Sequence, residues 1–311
     1  MSMLYRKLGK TNLEVSVLGL GCSGLGGVFG DIEVNDAVRT LRCALDEGIN
    51  DLDTAPFYGD TLSETNVGIG LKGVARDKYV ISSKVGRYGM TDHDFTYARV
   101  KEGLEASLRR LGCEYLDVAI LHDVEFVPLE QVIGEGLRAL HDARAEGKVR
   151  YIGASGLPLK IFPALLSVAE LDAVISYANY TLQNTMLEGV LPLLEAYRLG
   201  VINASPLALG LLTPQGPRDW HLGGDVLKAK CREAAEWCNT HGVDIAELGM
   251  QFALANPRIH TTLSGALSVE EVRKNVACVG KTPNPVLVEA VRHILTPVYG
   301  QAWAAGRAEY N

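Results

Sequence analysis

The sequence has no unbroken apolar run of the roughly 18 residues that a membrane-spanning helix needs, although 47% of its 311 residues are hydrophobic. It has no Lys/Arg-rich block either. Its 30 basic and 37 acidic side chains leave a formal net charge of −7, and binding to nucleic acid or to an anionic membrane is driven by basic groups that neutralise phosphates. Neither partner is expected, which leaves a small molecule. Cysteine is sparse: Cys22, Cys43, Cys113, Cys231, Cys238 and Cys278 fit no disulfide framework or metal motif. The histidines share no ligand spacing with one another or with cysteine, so no metal site is expected. The opening residues MSMLYRKLGK lack the apolar core of a secretion signal. These absences predict a cytoplasmic globular protein, and the length suits a single domain over 1–311.

The stretch GLGCSGLGG places Gly19, Gly21 and Gly24 at the spacing of a dinucleotide-binding fingerprint after the apolar run VSVL. That fingerprint needs a helix opening at its last glycine and an acidic residue about 20 positions on. Here LGGVFGDIEV follows, too rich in glycine to open a helix, and helical periodicity begins only at Asn35. The pattern reads as a strand-end turn.

Short apolar strands alternate with amphipathic stretches along the rest of the chain. After VSVLGLG come INDLDT, YVISSK, YLDVAILH, VRYIGAS, LDAVIS, GVINAS and HTTLSG. Between them, Val100, Leu104, Leu108 and Leu111, or Val38, Leu41 and Leu45, set one apolar stripe on a helix face. Eight such units over about 250 residues predict an α/β (β/α)8 TIM barrel. A hairpin of YRKLG and LEVSV around Lys10-Thr11-Asn12 would close its floor. The gap 206–258 carries a Gly/Pro-rich loop and two helix patterns, Val226 to Thr240 and Asp244 to Asn256. We read the loop as part of the active site, with extra helices toward the C-terminus.

Catalytic groups in this fold sit at the C-terminal ends of the strands. Asp53, Lys84 and His122 close the second, third and fourth strands, and Tyr58 follows Asp53 within the loop DTAPFYGD. These four groups suggest proton transfer by a phenol. A free tyrosine has a pKa near ~10 and is a poor base at neutral pH. Lys84 could stabilise its ionised form, Asp53 could keep Lys84 charged, and His122 could bond a substrate oxygen. Taken singly, each has a plainer reading as a turn cap, a packing residue or a core histidine; their meeting on consecutive strand ends favours the site.

GINDLDTAPFYG, VISSKVG, YLDVAILH, IGAS and SGALSVEEVRKN resemble, in order and over nearly the whole chain, the successive blocks of the aldo-keto reductases. FYGDTLSE, SKVGRY, HDVEF, IGASGLPLKIF and NASPLALGLLTPQGPRDWH are similar to the plant-type L-galactose 1-dehydrogenases within that superfamily. The resemblance implies Tyr58 as general acid/base, Lys84 as its modulator, Asp53 as the partner of Lys84, and His122 as the substrate-orienting group. It also implies a nicotinamide dinucleotide bound by the loops after strands seven and eight. Ser205, Leu207 and Leu209 would line the pyrophosphate; Gly265, Ala266, Leu267 and Ser268 would meet the adenosine ribose, and Asn275 the adenine. Ser155 would hold the nicotinamide carboxamide.

NADP-using relatives carry a basic residue at the position of Gly265 and an arginine at that of Glu271. A neutral residue and an acid there predict NAD over NADP, although Glu271 also fits a capping box with Ser268, in which it only satisfies a helix amide. Ala204 replaces a tyrosine that stacks on nicotinamide in relatives, Gly156 an asparagine and Tyr177 a glutamine. Tyr177 could supply the missing aromatic surface or be a core residue. Cys22 and Ser23, in place of threonine and tryptophan, leave room above the nicotinamide for a polar ring. Arg87, Asp123, Phe126, Trp220 and His221 lie in strand-end loops and could line a sugar site, or serve as exposed charges, loop anchors and core edges. The reading is NAD-dependent oxidation of the anomeric carbon of an aldose, with L-galactose giving L-galactonolactone. Its rivals are a dehydrogenase for L-fucose, D-arabinose or a D-threo-aldose, an NADPH-dependent aldehyde reductase, and a nicotinamide-sensing binding module.

Overall fold

The computed structural model describes residues 3–311. The chain opens with β1 (Tyr5–Lys7) and β2 (Glu14–Ser16), an antiparallel pair with Arg6 opposite Val15. Leu8, Leu13 and Val15 point from this hairpin into a buried cluster with Val80, Val118, Ala173 and Ile202. Those partners stand near the starts of barrel strands, so the hairpin plugs the floor as its position in the sequence predicts.

Eight parallel strands close the barrel: β3 (Leu18–Gly21), β4 (Asp51–Asp53), β5 (Val80–Val85), β6 (Leu116–Leu121), β7 (Val149–Gly156), β8 (Ala173–Tyr177), β9 (Gly200–Ala204) and β10 (Thr261–Ser264). Each pairs with the next, and β10 pairs with β3 to complete the ring. Both faces of these strands are covered, by helices outside and by side chains filling the interior, so they read as short runs of buried residues.

The helices follow in chain order: α1 (Val34–Asp46), α2 (Leu62–Leu71), α3 (Tyr97–Leu111), α4 (Leu129–Gln131), α5 (Arg138–Ala145), α6 (Ile161–Leu166), α7 (Leu191–Ala196), α8 (Asp225–Thr240), α9 (Ile245–Leu254), α10 (Val269–Val276) and α11 (Pro285–Leu295). α3 shows the logic. It buries Val100, Gly103, Leu104, Ser107, Leu108 and Leu111, one stripe at helical spacing, and stops at Gly112, whose φ of 65° gives the left-handed turn that ends many helices. α8 and α9 confirm the two helix patterns in the long gap. α11 packs back on α8, joining Leu227, Cys231 and Ala234 to Val291 and Leu295 in a second core.

β3 does not lead into a helix: a 3₁₀ turn, Cys22–Gly26, follows it, and α1 begins only at Val34. The glycines serve packing. A Cβ on Gly26 would lie 2.6 Å from the carbonyl oxygen of Tyr58, so the turn can rest against the loop that carries this tyrosine.

Candidate active site

The barrel brings Asp53, Tyr58, Lys84 and His122 to one rim. Asp53 is the last residue of β4 and Lys84 the penultimate residue of β5. His122 stands one position beyond β6, where its amide still donates to the Val85 carbonyl at 2.9 Å. Lys84 is 2% exposed. Its ammonium forms an ion pair with Asp53, donates to the Thr54 carbonyl at 2.9 Å, and lies 4.6 Å from the centre of the Tyr58 ring. The other oxygen of Asp53 accepts the Ser82 hydroxyl at 2.7 Å. Burial acts to lower the pKa of Lys84, but the charges of Asp53 and Tyr58 outweigh it, and the net direction is up. This lysine is a permanent cation.

Tyr58 feels two opposed effects. Burial raises its phenol to about 12, and Lys84 pulls it down by less than burial pushes it up. The expectation that Lys84 favours the phenolate holds for the direction of its own effect; the net shift is upward, so the resting side chain is a phenol. His122 meets the Tyr58 ring edge-on, with centroids 5.8 Å apart. Burial lowers its imidazole to about 3, so it is neutral, and its Nδ1 has no hydrogen-bond partner among the described residues. The arrangement therefore presents a phenol next to a buried ammonium and a neutral imidazole, a set that can donate or accept one proton and bind one oxygen.

Beside this group, Arg87 forms an ion pair with Asp123, and its guanidinium lies 4.0 Å from the ring centre of Phe57 and 5.1 Å from that of Phe126. Asp123 has a left-handed φ of 50°, a conformation that persists only where neighbours hold it. Ser155 is the holder: its hydroxyl accepts the Asp123 amide at 2.8 Å and donates to the Asp123 carboxylate at 2.9 Å. The hydroxyl expected to meet a carboxamide is thus engaged with Asp123. Arg87, Asp123 and Phe126 converge on these four residues.

Trp220 and His221 do not. Trp220 is 45% exposed and packs on Phe29, while His221 is a buried loop anchor whose Nδ1 accepts the Gly223 amide at 2.9 Å and whose Nε2–H donates to the Ala208 carbonyl at 3.1 Å. Tyr177 is half-buried at the end of β8, and burial raises its pKa. Cys22 is buried, with its thiol on the Leu20 carbonyl at 3.5 Å and its pKa raised by burial. Sequence reasoning missed Phe57, which packs on His122, His93, which stacks on Phe126, and the buried acids Asp51 and Glu125. The signal for Asp51 was present: an acid inside an apolar strand.

The loop after β9 turns through Ser205, Ala208, Leu209 and Gly210, all at positive φ. The amides of Leu207 and Leu209, and those of Ala266 and Ser268 in the loop after β10, donate to no acceptor among the described residues. Unpartnered amides converging from two loops, one of them opening α10, fit the phosphates of a dinucleotide. Ser268 caps α10 through the Glu271 amide (3.2 Å), and Glu271 reaches back to the Leu267 amide (2.7 Å), so Glu271 is in the capping arrangement. Asn275 donates to Ser264 and to the Gly265 carbonyl at 3.2 and 3.3 Å. Next to this loop a groove of about 510 Å³ has Asp31, Glu33, Asp36, Glu270 and Arg39 among its lining. Arg39 and Lys274 near it are paired with Asp36 and Glu270.

The Aldo/keto reductase family model matches residues 17–285. This chain belongs to that family. It is 42% identical to the L-galactose dehydrogenase of Arabidopsis thaliana over 97% of both chains, and 31% identical to the D-arabinose 1-dehydrogenase of Saccharomyces cerevisiae over 86% of both. Among solved structures, an aldo-keto reductase from Bacillus halodurans in its holo form superposes with a TM-score of 0.79, at 29% identity, over 99% of both chains. The chain is an oxidoreductase of a family that uses nicotinamide cofactors. No helix among the described residues is long and apolar enough to cross a membrane.

Proposed function

We propose that the chain is an NAD-dependent aldose 1-dehydrogenase and that L-galactose, oxidised to its lactone, is the substrate. The observation that carries the reading is the buried Lys84–Asp53 pair beneath Tyr58, with neutral His122 at its edge and the Arg87–Asp123 pair alongside. The substrate assignment rests on the similarity to the Arabidopsis protein over 97% of both chains. Ser205, Leu207 and Leu209 with Gly265, Ala266, Leu267, Ser268 and Asn275 would hold the dinucleotide, and Cys22, Ser155 and Tyr177 would border its nicotinamide. When bound, the nicotinamide would supply the acceptor for the C1 hydride.

The chain's own residues handle the proton. Once the phenol has given its own proton to solvent, with Lys84 opposing the cost of that ionisation, Tyr58 Oη takes the proton from the C1 hydroxyl, and His122 donates a hydrogen bond to the same oxygen. Because the resting group is a phenol raised to about 12, oxidation speeds up as the solution becomes more alkaline. Arg87 and Asp123 offer donors and acceptors to the ring hydroxyls. For the cofactor, Gly265 supplies no charge, Glu271 is spent on the helix cap, and the adjacent groove is acidic, so a ribose 2′-phosphate meets repulsion without a clamp. A second reading, reduction of a small aldehyde, is favoured by the same protonated phenol acting as an acid.

Initial rates for a panel of L- and D-aldoses with NAD and with NADP, and for aldehydes with NADH, test both. Highest efficiency with L-galactose and NAD supports the proposal, and equal efficiency with both cofactors overturns the NAD assignment. Replacing Tyr58 by Phe should abolish turnover; retained turnover removes the proton-transfer role.

A further inference from the structure

β4 is three residues long, and two of them are acids. Successive side chains on a strand alternate in direction, so Asp51 points into the barrel along with Asp53, one layer below it, while Leu52 joins the outer core. The reaction proposed above uses Asp53 and leaves Asp51 without a role. Asp51 is 4% exposed, and its Oδ2 has no hydrogen-bond partner among the described residues; neither has the hydroxyl of Thr261 on β10. Between β4 and β10 lies β3, and its Gly19 separates the two side chains. A Cβ at position 19 would lie 2.8 Å from Asp51 Oδ2, 3.1 Å from Thr261 Oγ1 and 2.6 Å from a methyl of Leu263. The first glycine of the GLGCSGLGG stretch thus makes room inside the barrel for a carboxyl group.

We propose that Asp51 is a positioning residue for the reaction: an acid seated beneath Asp53 whose loss of a proton adds a second negative charge below Lys84 and makes the Tyr58 phenol harder to deprotonate. The inference rests on the reading of Tyr58 as the proton-transfer group. Burial raises the Asp51 carboxyl to about 7, with the charge of Asp53 adding to the effect. The groups that face it are few. Asp53 lies on its own strand, the neutral Cys22 thiol follows β3, Lys84 comes from β5 and Thr261 from β10. Asp117 on β6 is held by Arg76 and Arg150 at 2.6 and 2.7 Å. Ionisation of Asp51 therefore places an unpaired charge in a site where Lys84 already has its carboxylate. The added charge holds Lys84 in its protonated form but repels a phenolate, so the phenolate becomes harder to form as the solution passes neutrality.

The test compares kcat against pH for the wild type and for Asp51→Asn, in whichever direction the enzyme turns over. For oxidation, the ratio of variant to wild-type kcat should rise about three- to tenfold between pH 6 and pH 9, the order expected for one charge removed within roughly 10 Å. For reduction, where the phenol gives up its proton, the ratio should rise as well. A constant ratio overturns the proposal, because a merely structural residue would change the rate by one factor at every pH. Asp51→Ser serves the same comparison if the asparagine variant does not fold. The infrared difference between wild type and either variant gives a readout without substrate: a protonated-carboxyl band present at pH 5 and lost by pH 9 supports the proposal, and its absence at pH 5 overturns it. If Tyr58→Phe retains turnover, the reading of Tyr58 has failed; a constant ratio together with an inactive Tyr58→Phe overturns the role of Asp51 alone.

Discussion

Replacing Glu125 by Gln should make the protein relatively more stable as the pH rises. Glu125 is fully buried behind the loop that carries Asp123. One carboxyl oxygen accepts the Leu157 amide at 3.0 Å, while the other has no partner among the described residues. A Cβ on Gly156 would lie 3.0 Å from that second oxygen, so the glycine leaves the carboxyl little room to move. The C-terminal segment seals the other side, where the Arg307 amide donates to the Glu125 carbonyl at 2.8 Å. Burial, and then the charge of Asp123, raise the carboxyl to about 8 from an ordinary value of 4.5. Between those two values the folded chain holds a proton that the unfolded chain has released. Stability from this group is therefore fully present below the lower value and is lost as pH rises through the upper one, by about 1.4 kcal/mol per unit. From pH 5 to pH 8 the loss is roughly 4 kcal/mol on this simple linkage.

Glutamine has no proton to lose and keeps the acceptor for Leu157. Its amide group meets the same unpartnered space, which costs about 1 kcal/mol or more at every pH. The variant should thus be slightly less stable than wild type at pH 5 and more stable at pH 8. Urea unfolding at half-unit steps from pH 5 to 8.5, followed by two coincident probes so that a single transition is established, gives the two stability curves. Their difference isolates Glu125, since Asp51 and the surface carboxylates contribute to both. A difference flat to within about half a kcal/mol would refute the reasoning.

Two further outcomes concern the dinucleotide loops. Gly265→Lys combined with Glu271→Arg supplies a clamp for a 2′-phosphate, and the ratio of kcat/KM for NADP to that for NAD should rise at least about tenfold, a change worth about 1.4 kcal/mol; an unchanged ratio would mean that these positions do not face the ribose. His221→Phe keeps a ring against Trp303 but releases the Ala208 carbonyl and the Gly223 amide. The turn at positive φ should then loosen, raising the Kd for NAD several-fold with kcat little changed, and titration of tryptophan fluorescence with NAD would contradict the anchor role if the two Kd values agree.

The fold was legible because its strands and helices repeat at different periods. VISSKV and LDVAIL are largely apolar strands of six residues, buried throughout, while Val100 to Leu111 recur at helical spacing, and the alternation recurs eight times. That Asp53, Tyr58, Lys84 and His122 meet was legible for a geometric reason: parallel strands of a closed barrel all end on one face, so polar residues that close neighbouring strands come together. His221 was less legible, since a histidine in a Gly/Pro-rich loop reads equally as a ligand and as an anchor. In the fold, both ring nitrogens are bonded to its own loop. For Glu271, the capping-box spacing and a place beside the ribose point to the same residue, and its carboxylate accepts the Leu267 amide, one residue before the Ser268 cap.

What no residue pattern could supply is the relative size of opposed effects. The pairing of Lys84 with Tyr58 follows from strand order, yet whether the tyrosine rests as phenol or phenolate depends on how much water the barrel mouth excludes, and burial proves larger than the pull of the lysine. The consequence reaches beyond one side chain. Lys84 is balanced by Asp53 and Arg87 by Asp123, while Tyr58 and His122 are neutral, so these six groups at the mouth carry no net charge at rest. In a site so balanced, each added charge counts in full, because no excess of the opposite sign is present to absorb it. That is why a carboxyl one layer down, admitted by a glycine that first reads as part of a phosphate loop, bears on the proton affinity of the tyrosine above it.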